Sequence, residues 1–139
     1  MKMKTFEVEG FHSFLIGLKL GAQESRMRSR LCKFLVAKME QTDQERMELI
    51  NQFSEKNEED GTPVGSANED GSTTFKIADM HAFNREFQIL MNEDFIIEET
   101  EDKKAMFEVV RHAALNTDEI YSGAEAVMYD RWCDIIEGE

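Results

Sequence analysis

"MRSRLCKFLVAKMEQTDQERMELINQF", residues 27–53, is the stretch on which the fold class turns. Met27, Leu31, Phe34, Leu35, Met39, Thr42, Met47, Leu49, Ile50 and Phe53 recur at steps near three and four. That spacing stacks side chains on one face of an α-helix. Ser25 is the expected N-cap, and the pattern predicts one long helix ending near residue 56. Upstream, "FHSFLIGLKLG" (11–21) reads as a short helix. Ser13 can cap it, Phe14, Leu15, Ile16 and Leu18 give it an apolar face, and Gly21 suits the left-handed position past its end. Residues 3–9 alternate weakly, Phe6 and Val8 against Glu7 and Glu9, as a short strand does.

Downstream comes the one break in the chain, "EKNEEDGTPVGSANEDGSTTFKIAD" (55–79). It holds two Asp-Gly pairs, at Asp60 and Asp70, together with the sole proline, Pro63. Asp-Gly is a strong turn signal. The expectation is a β-hairpin insertion around residues 60–77 with its polar tip at "SANEDGS"; should the hairpin not form, 57–78 is a mobile loop. Asp79 then caps a third helix striped with Met80, Phe83, Phe87, Leu90 and Met91. Phe95–Ile97 suits a further strand, and Thr100 caps a fourth helix with Met106, Val109, Val110 and Ala113 inward. Ser122-Gly-Ala-Glu125 has the form of a capping box opening a last helix, with Val127, Met128, Trp132, Ile135 and Ile136. The fold class expected is mainly α (α+β): about five helices in a compact, bundle-like single domain over 1–139, with a small hairpin.

Composition supports a core. Of 139 residues, 41% are hydrophobic, with ten Phe and nine Met, while the 32% charged fraction calls for a large solvated surface. No apolar run approaches the ~18 residues of a membrane span. "MKMKTFEVEGF" lacks the apolar run and cleavage site of a signal peptide, so a cytoplasmic location is expected. Cys32 and Cys133 read as reduced, small apolar side chains rather than a disulfide or a reactive thiol.

Charge is the informative quantity. Residues 1–38 hold eight Lys/Arg and three Asp/Glu, a net of +5, whereas residues 39–139 hold eight and 26, a net of −18. Such a chain repels free nucleic acid over most of its surface and attracts a basic partner. The same negative charge also serves solubility alone, and both readings stand.

No motif names a reaction, so the chain is not expected to be an enzyme. A calcium loop aligned on Gly71 places Ile77 where a bidentate Glu is required, which leaves a turn. His12, His81 and His112 are scattered, and Glu108 and His112 lie four apart rather than three, so neither zinc nor di-iron is implied. Phosphate-binding glycine loops are absent, and the aromatic residues sit at core spacing rather than among basic ones. No cofactor is expected.

The candidate contact residues are the charged ones. "ESRMRSR" (24–30) places Arg26, Arg28 and Arg30 at the start of the long helix, where the dipole disfavours cations by a few tenths of a kcal/mol each. Arg26 and Arg30 lie about 40° apart on a helical wheel and Arg28 roughly 200° from Arg26, so the three do not form one stripe. The leading reading pairs Arg26 and Arg30 with the protein's own acidic segment "NEDFIIEETED" (Glu93, Asp94, Glu98, Glu99, Glu101, Asp102). A patch facing a protein partner and a nucleic-acid contact are the alternatives.

"ESRMRSR", the double Asp-Gly segment, "AFNREFQILMNEDFIIEET" and "YDRWCDIIE" together resemble a set of small uncharacterised proteins encoded by phages and prophages of Gram-positive bacteria. The resemblance covers nearly the whole chain and carries no catalytic residues with it. It implies a virus-encoded accessory protein in the bacterial cytoplasm. The function expected is therefore protein–protein interaction, with the acidic surface inhibiting a host defence or nucleic-acid-handling factor. A phage assembly protein that self-associates through a helical face is the second reading, and an enzyme with a dispersed site the third.

Overall fold

The computed structural model describes residues 1–138. Among these the chain is mainly α, with five helices and two small antiparallel two-stranded sheets. In order they are β1 (Lys2–Lys4), α1 (Val8–Gly17), α2 (Ala22–Phe53), β2 (Gly65–Ala67), β3 (Thr73–Phe75), α3 (Met80–Met91), β4 (Asp94–Ile96), α4 (Lys104–Leu115) and α5 (Ala124–Glu137). The chain divides into two compact units, Met1–Met39 with everything from Asp94 onward, and Glu40–Glu93. Helix α2 contributes its first part to one and its second part to the other.

The first unit holds the main core. Phe11 and Leu15 of α1, Leu31 and Leu35 of α2, Phe107 and Val110 of α4, and Trp132, Ile135 and Ile136 of α5 pack into one buried cluster. β1 pairs antiparallel with β4, Met3 opposite Phe95, and so ties the N-terminal segment to the acidic stretch. Arg131 of α5 reaches Glu7, Nε to Oε1 at 2.6 Å and Nη2 to Oε2 at 3.0 Å, while Glu7 also accepts the Lys4 amide at 2.8 Å.

In the second unit the expected hairpin is present. β2 and β3 pair with Ser66 opposite Thr74, and the Asn68–Gly71 turn lies within the expected tip. Each Asp-Gly pair is stitched in the same way: Asp60 Oδ1 accepts the Thr62 amide, and Asp70 Oδ1 the Ser72 amide, both at 3.0 Å. Both glycines have positive φ, at 71° and 86°, where a side chain would be strained. Residues 55, 64 and 76 then close on one another through backbone bonds of 2.8–2.9 Å. Limited proteolysis should cut first within 57–72, which is almost wholly exposed. Earlier cleavage inside α2 or α3 would contradict this layout.

Several helix boundaries differ from the sequence reading. α1 begins at Val8, so 3–9 yields only the short β1 and then a turn of 3-10 helix, and Ser13 lies inside α1 rather than capping it. The helix ends before Gly21, and α2 starts ahead of Ser25, whose amide already bonds Gly21 O at 2.9 Å. Thr100 precedes a short 3-10 turn, its hydroxyl donating to Asp102 rather than capping α4. Gly123, at φ 58°, occupies the cap of α5 that Ser122 was expected to fill. Asp79 does cap α3, its Oδ1 accepting the Ala82 amide at 3.0 Å. Phe34, Met47, Met80, Val127 and Met128, read as core-facing, are exposed, and Phe107 is buried instead of lying outside the stripe. Four apolar residues per two turns make a broader stripe than these small units can cover.

Candidate functional site

The arginines do not pair as expected. Among the described residues neither Arg26 nor Arg30 forms an ion pair; both are exposed, and Arg30 only approaches Met27 Sδ at 3.6 Å. Arg28, half-buried, turns back to α1 instead. Its Nη1 donates to Leu15 O at 3.0 Å, to Ile16 O at 3.3 Å and to Leu18 O. A cation on the terminal carbonyls of α1 is favourable for that helix's dipole, which offsets its unfavourable place at the start of α2. Arg28→Gln should lower stability by roughly 1.5–3 kcal/mol, the range for bonds to a charged group. Arg26→Gln and Arg30→Gln should each stay within ~0.5 kcal/mol in the same urea titrations.

The cations that do meet the acidic segment come from β1 and α4. Lys2 and Lys4, two apart on a strand and so on one face, both reach Asp94, at 3.1 and 2.7 Å. Their ammonium groups hold the Asp94 carboxyl below its ordinary pKa. Arg111 bonds Glu99 at 2.7 Å, with the terminal amine 3.9 Å away. Asp102 accepts from Thr100, and Glu98 and Glu101 stand exposed. The alternation of Lys2 and Lys4 was the signal available for this; the bond between Glu7 and Arg131, 124 residues apart, had none.

Two further surface features bear on binding. One is the acidic face of the second unit. Residues 40–93 carry thirteen Asp/Glu against four Lys/Arg, a net of −9. Glu45 and Glu48 of α2 with Glu86 of α3 and Glu93 line a groove of about 370 Å³ floored by Leu49 and Leu90. Asp43–Arg46 and Glu55–Lys76 are ion pairs of this unit.

The other is a cleft of about 680 Å³ in the first unit, between α1 and α5. Phe14, Tyr121, Tyr129 and Trp132 form its aromatic lining. The Tyr121 and Tyr129 rings stack at 4.4 Å, and Phe14 lies 5.7 Å from Tyr129 and 6.4 Å from Trp132. Tyr129 donates its hydroxyl to Ala114 O at 2.9 Å, and burial pushes its phenol up to about 12.

Neither cysteine is activated as a nucleophile. Burial pushes both Cys32 and Cys133 thiols above their ordinary pKa, the direction opposite to a reactive thiolate. Among the described residues no cluster of His, Cys, Asp or Glu is arranged to hold a metal ion, and no helix is long and apolar enough to cross a membrane. Comparison of the chain with protein-family models, curated proteins and solved structures finds no match.

Proposed function

We propose that this chain is a phage-encoded accessory protein that works by protein–protein interaction, presenting an acidic face to a basic surface on a host factor. The observation that carries the reading is the second unit: a net of −9 on 54 residues, with carboxylates lining an open groove and few cations set against them. A surface of this sign is attracted to sites built for nucleic acid or another polyanion and can compete for them. Such attraction acts chiefly on the association rate and fades as the Debye length shortens with salt.

The test is capture from bacterial lysate on immobilised protein at low and high salt. A partner should be retained at low salt, released at high salt and displaced by added DNA. Glu45→Gln, Glu48→Gln and Glu86→Gln together should weaken its capture about tenfold or more. Capture unaffected by these changes would reject the acidic face as the contact.

A further inference from the structure

The aromatic cleft is the part of the molecule that the acidic face leaves without a role. Its α1 wall is low: Gly17 contributes no side chain, and a Cβ there would meet nothing within 4 Å. Its α5 wall is apolar, with Met128 exposed, Tyr129 half-buried and Trp132 buried. Its rim is negative, because Glu119 and Glu125 line it and Lys19 is the one cation among its described lining residues. Both carboxylates line the same cleft as the stacked Tyr121 and Tyr129, and burial followed by the charge of Glu119 pushes the Tyr121 phenol above its ordinary value.

We propose that this cleft takes an arginine-bearing segment of a basic protein partner. An arginine stem is apolar enough to lie along Phe14 and Met128. Its planar guanidinium is drawn to aromatic faces, of which the partly exposed Phe14, Tyr121 and Tyr129 are within reach, and it bonds carboxylates in a two-pronged fork. Lysine offers the charge without the planar stacking. A second copy of this chain fits less well, because it would bring two more carboxylates, Glu119 and Glu125, to a cleft that sets only Lys19 against its own pair. The inference shares with the proposed function only the expectation of a basic partner, and its site lies wholly in the other unit.

Trp132 is the sole tryptophan, so its emission reports on the cleft. The experiment titrates the full chain with a capped Arg-Gly repeat peptide and with its Lys-Gly counterpart. The expected result is a saturable change with the arginine peptide and binding of the lysine peptide about tenfold weaker or more. Gly17→Met should remove the response by filling the cleft. It should leave far-UV circular dichroism intact and the melting temperature no lower, since Gly17 does not have a positive φ and its side-chain space is open. Glu119→Gln with Glu125→Gln should weaken binding, while Glu45→Gln, Glu48→Gln and Glu86→Gln should not. A response that survives Gly17→Met, or equal responses to the two peptides, would overturn the proposal. So would a dimer in light scattering that Gly17→Met dissolves, since a second copy would then be the occupant. A response lost only on neutralising the second unit would overturn the cleft and leave the proposed function standing; failed lysate capture with an intact cleft response would do the reverse.

Discussion

Trp132→Ala should lower the unfolding free energy by roughly 3–5 kcal/mol, the usual range for removing a buried aromatic side chain. Trp132 is only 6% exposed and packs against Phe11 at 5.7 Å between ring centroids. It also closes on the α1 backbone, where a Cβ on Gly10 would lie 3.1 Å from the indole ring. Truncation therefore opens a cavity bordered by two helices, and neither can collapse into it without losing its other contacts. Urea titration followed by far-UV circular dichroism is the measurement, because the fluorescent reporter goes with the mutation. A loss below ~1 kcal/mol would show that the site repacks. Gly10→Ala probes the same contact from the opposite side. It should gain nothing, although alanine ordinarily favours a helix interior by about 0.5–1 kcal/mol over glycine.

Arg131→Ala should cost roughly 2–3 kcal/mol, because it leaves the carboxylate of Glu7 buried without its main partner. The Arg131 side chain is 37% exposed, so solvent screening keeps the cost below that of a fully buried pair. The Arg131 bonds, helped by the Lys4 amide and opposed by burial, hold the Glu7 carboxyl below its ordinary pKa. A carboxylate whose pKa is depressed on folding adds stability that is fully present above its unfolded value of about 4.3. That stability is lost as pH falls through the folded value. The urea midpoint should accordingly fall below about pH 4.3 in the wild type, and Glu7→Gln should flatten that part of the profile. Parallel acid profiles for the two proteins would mean that other carboxylates dominate.

Local signals carried much of this architecture. The three-and-four spacing from Met27 to Phe53 is enough to make one long helix, because it needs only neighbours within two turns. The two Asp-Gly pairs and the cap at Asp79 are likewise satisfied within a few residues, by the Thr62, Ser72 and Ala82 amides. The opening and closing residues of α1, α2 and α5 were misjudged where more than one capping residue lay within reach. A serine can cap only if the backbone before it leaves the helix, and packing of the apolar face decides that.

What the amino-acid order determined by itself was the helical class, the hairpin, the buried tryptophan and the separation of a basic head from an acidic remainder. What only the tertiary structure decided was which charges meet and which surfaces stay open. Arg28 seats on the carbonyls of α1 while Arg26 and Arg30 face solvent, Lys2 and Lys4 take Asp94, and Glu7 finds Arg131 from the far end of the chain. The cleft of Phe14, Tyr121, Tyr129 and Trp132 exists because α5 lies against an α1 wall made low by Gly17. Periodicity places a residue on a face, but a charge has no periodic requirement. Its partner is whichever opposite group the packed backbone brings within about 4 Å, where Coulomb attraction outweighs the entropy of holding both side chains still.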